Sequence, residues 1–194
     1  MLLQISKSEP KQTQGTPETG VPSRSVENGD VELINSDEKL HKVIGKLEQG
    51  VTKHWWSRGT FNSVRLLFCL ANQIGSCDIF ISTYSISEKS VRQLWTAQQK
   101  GKIRNIRFLI DHRVRAQSPK PFQALYGFFP GMVRTTSIHA KVTTLQSDDW
   151  KVSIVSSMNA TDNNKIERGL ISTDPAVFDF DNQVLNEEFE RGAT

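Results

Sequence analysis

Two hydrophobic periods alternate along the chain from about residue 35 onward. Leu40, Val43, Ile44 and Leu47 form one apolar stripe of a helix. Asn35-Ser36-Asp37-Glu38 supplies a capping-box pattern before that helix, and Gly50 ends it. Residues 61–74 repeat the helical period, with Phe61, Val64, Leu67, Phe68 and Ala71 facing inward and Gly75-Ser76 as the stop. Residues 78–84, Asp78-Ile79-Phe80-Ile81-Ser82-Thr83-Tyr84, read as a strand. Ser87 caps a helix running to Lys100, with Val91, Leu94 and Trp95 inward and Gly101 after its end. Residues 106–111 form a second strand. A strand, a crossover helix and another strand make a βαβ unit, and therefore a parallel pair.

The second half reads as mostly β. Residues 112–130 are expected to be loop, with a short helix over 122–128, and residues 132–135 a brief strand. Strands follow over 137–142 and 151–156, with Ser147-Asp148-Asp149 as their turn, and over 168–172. Asp174-Pro175 caps a last helix whose apolar face is Val177, Phe178, Val184, Leu185 and Phe189. The predicted class is α/β, a mixed β-sheet flanked by helices on both faces. Residues 1–34 are rich in Pro, Gly, Ser, Thr and Glu from Lys7 to Asp30 and read as a disordered tail. Residues 35–60 are expected to be a helix and a connector, and residues 61–194 the main domain. Trp55-Trp56 in the connector fits an aromatic cap on a core edge; a Trp pair can also stack on bases.

Charge changes this picture through its distribution. The net charge is only +3, but from Lys100 to Arg134 eight basic residues face the single acid Asp111. Arg104, Arg107, Arg113, Arg115, Lys120 and Arg134 are the candidates for contacting a polyanion such as nucleic acid. Two solvated faces of opposite sign would give the same count, because residues 174–190 are strongly acidic. Cys69 and Cys77 lack metal-ligand spacing, Cys69 lies in an apolar run, and no acidic cluster of metal-binding type stands out. No cofactor or metal is expected. No segment approaches the roughly 18 apolar residues of a membrane span, and the start is too short and polar for a signal peptide. The expectation is a cytoplasmic protein without membrane contact.

The chemistry concentrates around His139-Ala140-Lys141. On a strand, residues two apart share a face, so the imidazole and the ammonium point together. The next strand delivers Ser157 and Asn159 at its end, and Glu167 stands at the head of the one after. An imidazole, a cation and neutral hydrogen-bonding groups are what one phosphate needs around it. By itself H-x-K is a weak pattern, which an ordinary hairpin with a surface His and Lys also produces.

The order of parts over residues 61–188 strengthens it. This region resembles one half-unit of the phospholipase D superfamily, whose signature is H-x-K-x4-D, then G-S-x-N, then a downstream acid. Here the pattern reads His139-x-Lys141, Ser156-Ser157-x-Asn159 and Glu167, preceded by two strands in the matching order. It departs at two positions: Gln146 stands where the signature has aspartate, and Ser156 where it has glycine. The chain has one copy of the signature, as the family's small bacterial endonucleases do, and those pair two subunits to build one site. The resemblance therefore implies a homodimer that cleaves nucleic-acid phosphodiesters without metal. In that scheme His139 of one subunit is the nucleophile and His139 of the other the acid and base. Lys141 and Asn159, with Ser157 as a further candidate, hold the phosphate oxygens, and Glu167 orients an imidazole. Two other readings compete: a catalytically degenerate nucleic-acid-binding protein, motivated by Gln146 and Ser156, and a lipid phosphodiesterase.

Overall fold

A computed structural model describes residues 27–28, 32–34, 37–59, 61–162 and 164–194. Its elements run β1 (Glu27–Asn28), β2 (Glu32–Ile34), α1 (Asp37–Ile44), β3 (Val51–Ser57), α2 (Ser63–Ile74), β4 (Cys77–Thr83), α3 (Glu88–Gln99) and β5 (Ile103–Asp111). They continue as α4 (Val114–Gln117), α5 (Pro119–Phe128), β6 (Val133–Thr136), β7 (Val142–Gln146), β8 (Lys151–Ser156), β9 (Glu167–Ser172) and α6 (Pro175–Arg191). The strands form one mixed sheet in the order β1-β3-β9-β8-β7-β4-β5-β6, with β2 also on β3. β4, β5 and β6 are parallel neighbours, and β7, β8, β9 and β3 alternate in direction.

Alternation along each strand divides the core between two faces. Ile79 and Ile81 of β4, Phe108 and Ile110 of β5, and Ile154 of β8 join the large core beneath α2, α3 and α5. Phe80 and Leu109 point the other way, onto Leu185 and Phe189 of α6. The expected α/β class, with helices on both faces, is what the chain adopts. The caps are those the sequence indicates: Ser87 Oγ accepts from the Ser90 amide (3.1 Å), and Asp174 from the Ala176 amide (2.8 Å). No helix among the described residues is long and apolar enough to cross a membrane.

Several elements differ from the sequence reading. The connector expected over 51–60 contains β3, which pairs along its whole length with β9. Its alternation is hidden in the sequence because aromatic Trp55 and Trp56 are adjacent: Trp55 is buried and Trp56 is 41% exposed. Helix α1 stops at Ile44, one turn earlier than Gly50 suggested, because Gly45 adopts a positive φ of 63°. Lys53 then donates to the carbonyls of Ile44 (2.9 Å) and Lys46 (2.7 Å), satisfying groups left open at the helix end. Within the tail read as disordered over 1–34, β1 and β2 pair with β3; the rest of that tail, and the Asn35-Ser36 cap, lie outside the described residues. The stretch 137–141, expected to be strand, is an extended link without ladder pairing, and β7 begins only at Val142. Its backbone is tied at two points instead. Ser82 Oγ donates to the Ala140 carbonyl (2.8 Å), and the Ser156 amide donates to the Lys141 carbonyl (3.0 Å).

Candidate active site

Strand direction gathers the chemistry at one end of the sheet. The C-terminal ends of β4, β5 and β8 and the N-terminal ends of β7 and β9 all lie there, as the register Ser82↔Val142↔Val155↔Leu170 requires. His139 and Lys141 enter from the link before β7, Ser157 and Asn159 leave β8, and Glu167 opens β9. Open α/β sheets place their sites beyond the carboxyl ends of parallel strands, and this is that edge.

Two anchors hold the loop after β8. Met158 and Ala160 are buried, and the 157–160 loop is stitched to the loop after β4: the Ala160 amide donates to the Ser85 carbonyl (3.1 Å), and the Ser87 amide to the Ala160 carbonyl (3.0 Å). This sets Asn159 against β4, where its Oδ1 lies 3.3 Å from Thr83 Oγ1, whose hydroxyl also lies 2.9 Å from the Ser85 carbonyl. Ser156, at the signature's glycine position, accepts from the Met158 amide (3.2 Å), so a serine fits that turn.

Tyr84 organises the cationic side of the site. Its ring meets His139 edge-on at 5.4 Å between centroids. Lys141 Nζ lies 5.7 Å from the ring centroid and the Arg113 guanidinium carbon 4.7 Å. The negative face of an aromatic ring attracts both cations. Lys141 Nζ also donates to the His139 carbonyl (2.7 Å), which closes the H-x-K segment on itself. Burial pushes the Lys141 ammonium pKa down, while the carboxylates of Glu167 and Asp111 draw it up. Asp111 is fully buried at the end of β5. Arg113 grips it through Nε (2.7 Å), Nη2 (3.0 Å) and its amide (2.9 Å), and holds its pKa down at about 2.

Glu167 is buried and accepts a hydrogen bond from Ser157 Oγ. That oxygen in turn accepts from the Arg168 amide (3.1 Å). A hydroxyl has one proton. In this arrangement Ser157 spends it on Glu167, so the serine positions the carboxylate. Tyr84, Thr83 and Asp111 had no place in the sequence reading of the site, and Arg113 entered it only as a candidate polyanion contact. The available signal was their position at the ends of β4 and β5.

The basic stretch does not act as one surface. Arg113, Arg115 and Lys120 follow β5 at the site's end of the sheet and are exposed. Arg104 stands at the opposite end, paired with Asp148 (2.6 Å) and Asp78 (3.3 Å) and bonded to the Gln146 carbonyl (3.2 Å). Arg107 is half-buried over the rings of Phe80 and Phe189, and burial pushes its pKa down. Arg134 lies over Phe189 too. Gln146, the departure from the signature, sits at that far end of β7, opposite Asp78. A cleft of about 580 Å³ between α2 and α3 opens near Gly75 and Gly101, away from His139.

No protein-family model matches the sequence, and no curated protein is significantly similar to it. Solved structures are. Nuc from Salmonella typhimurium, a phospholipase D family member, aligns over 73% of this chain and 95% of its own, with a TM-score of 0.55 and 18% identity. NucT from Helicobacter pylori aligns over 73% of this chain and 98% of its own (TM-score 0.52, 17% identity). Polyphosphate kinase from Porphyromonas gingivalis aligns over 74% of this chain but 26% of its own (TM-score 0.52, 15% identity). Aligned over nearly three-quarters of this chain, these neighbours show its fold: the chain has the phospholipase D fold.

Proposed function

We propose that this protein is a phosphodiesterase that cleaves nucleic acid without metal, through a phosphohistidine formed on His139. One observation carries the reading: on a phospholipase D fold, His139, Lys141, Asn159 and Glu167 gather at the sheet end that also holds Tyr84 and the Asp111–Arg113 pair. The imidazole nitrogen attacks phosphorus, the P–N bond forms and the P–O bond to the leaving group breaks. An acid must protonate the departing alkoxide, and a base must then take a proton from the water that breaks the P–N bond. One chain holds a single histidine of this kind, so the second comes from His139 of a partner subunit across a two-fold axis. Nuc and NucT, aligned over nearly their whole length, support a unit of this size. Lys141 and the Asn159 NH2 stabilise the phosphoryl oxygens. Glu167, set by Ser157, orients the site's cations and imidazole. Arg113, Arg115 and Lys120 are the basic residues placed to receive the flanking phosphates.

Gln146 does not weigh against activity, since its side chain is exposed at the far end of β7 from His139. The test is cleavage of DNA and RNA in excess EDTA by wild type and His139→Ala. Wild-type cleavage that the substitution abolishes is the expected result. Nucleic-acid binding with no cleavage by wild type would overturn the enzymatic reading in favour of a binding protein.

A further inference from the structure

The two tryptophans of β3 part company across the sheet. Trp55 faces the core and packs over Gly169, where any Cβ would meet the indole Cε2 at 2.7 Å. Trp56 faces the other side, opposite Arg168 in the β3–β9 register. Helix α6 packs on that side chiefly against β4 to β8. Trp56 is 41% exposed, and the Arg168 guanidinium carbon sits 5.8 Å from its ring centroid. Ile166, at the head of β9, is 62% exposed beside them. This apolar and cationic patch is joined directly to the site. The Arg168 amide donates to Ser157 Oγ, the Ser157 amide donates to the Arg168 carbonyl (2.9 Å), and Glu167 pairs with Ser57 one step along the ladder. From β3 to β7 there are three strand spacings, about 14 Å. A strand of nucleic acid threaded past His139 reaches the patch within a few nucleotides.

We infer that Trp56 and Arg168 form a nucleobase-stacking subsite that flanks the phosphodiester site, giving the protein a preference for unpaired over duplex nucleic acid. This rests on the phosphodiesterase reading. Trp56 offers a sequence-tolerant π surface for a base, and Arg168 offers a cation for the phosphate beside it, the combination by which single strands are held. A duplex keeps its base faces stacked and can use only the cation. The occupant is therefore a base of the substrate strand.

The test measures binding in EDTA with His139→Ala as the background, so that cleavage does not interfere. Probes are a fluorescent single-stranded oligonucleotide, the same strand with abasic sites, and its duplex. Adding Trp56→Ala is expected to weaken single-strand binding about tenfold. Duplex and abasic probes should change less than twofold, and Trp56→Phe should restore most of the loss. Equal losses on all three probes, or no loss on the single strand, would overturn the inference. So would sedimentation showing that Trp56→Ala turns a dimer into a monomer, because the patch would then be a subunit contact. The two readings fail separately. Trp56-dependent binding without cleavage by wild type removes the catalytic reading and keeps the subsite, whereas cleavage without any Trp56 effect does the reverse.

Discussion

His139 lies on a link that no strand holds, so its ring depends on what it touches, and Tyr84 is the aromatic neighbour that also meets Lys141 and Arg113. Under the proposed function Tyr84 is a positioning residue. Tyr84→Phe keeps the ring and loses only the hydroxyl contact to Gln117 (3.3 Å), so cleavage should stay within a few-fold of wild type. Tyr84→Leu should lower kcat by roughly 10- to 100-fold with KM little changed, since misplaced groups cost rate at a formed site. The histidine ring protons, read by NMR, should lose their ring-current shift in Tyr84→Leu and keep it in Tyr84→Phe; an unmoved spectrum would contradict the role. Asp111 gives a pH prediction. Its folded pKa, about 2, is below the ordinary 3.8 because Arg113 bonds the ionised form. The stabilisation is complete above about pH 4 and is lost as pH falls toward 2. Because Arg113 is 48% exposed, the effect should be roughly 1–2 kcal/mol. Urea unfolding at pH 5 and pH 2.5 should show the gap between wild type and Asp111→Asn narrowing by that amount. His139, Lys141 and Asn159 stood out in the sequence as candidates because their spacing is local. Tyr84 did not, because its role arises from three cations and rings that converge from separate parts of the chain.

Helices were legible from an apolar stripe opposite a wet face, and β4, buried on both faces, from its apolar, β-branched run between turn signals. Helices α2, α3 and α6 and strands β4, β5 and β8 were expected close to where they stand. Strand β3 was missed because Lys53 and His54 interrupt the period and the two tryptophans face opposite sides. The half-buried Lys53 is tolerated because its ammonium closes the end of α1. Pairing between β3 and β9 leans on Gly169, whose missing side chain leaves room for Trp55 and for Ser156, whose Cβ would stand 2.8 Å from an added Cβ. Both neighbours belong to the packed sheet and have little space to retreat. Gly169→Ala should therefore destabilise by about 1–3 kcal/mol in chemical denaturation, as overpacking does. An unchanged midpoint would show that the indole moves freely. At the opposite end of the sheet, Arg104 ties β4 to the β7–β8 turn through Asp78 and Asp148. These are exposed pairs, so Arg104→Ala should cost less than about 1 kcal/mol and leave cleavage unchanged.

Across the whole molecule, the order of elements carried more information than composition did. The run of eight basic residues suggested one polyanion surface, yet folding puts Arg104 at the far end of the sheet, lays Arg107 and Arg134 over the Phe189 ring, and leaves Arg113, Arg115 and Lys120 at the site's end. Linear charge density could not reveal this, because successive strand residues face opposite sides and the two ends of β5 are far apart. Affinity for nucleic acid should fall steeply with salt, and Arg115→Ala with Lys120→Ala should flatten that slope by about two units of log K against log salt. A slope unaffected by both would place the polyanion elsewhere. The covalent step on His139 is the most direct mark of the proposed chemistry. Wild-type protein, mixed briefly with an oligonucleotide in EDTA and quenched, should show by peptide mass spectrometry a phosphoryl-linked nucleotide on His139 that is absent from His139→Ala. Cleavage in EDTA with no adduct on His139, or an equal adduct level in the variant, would contradict it.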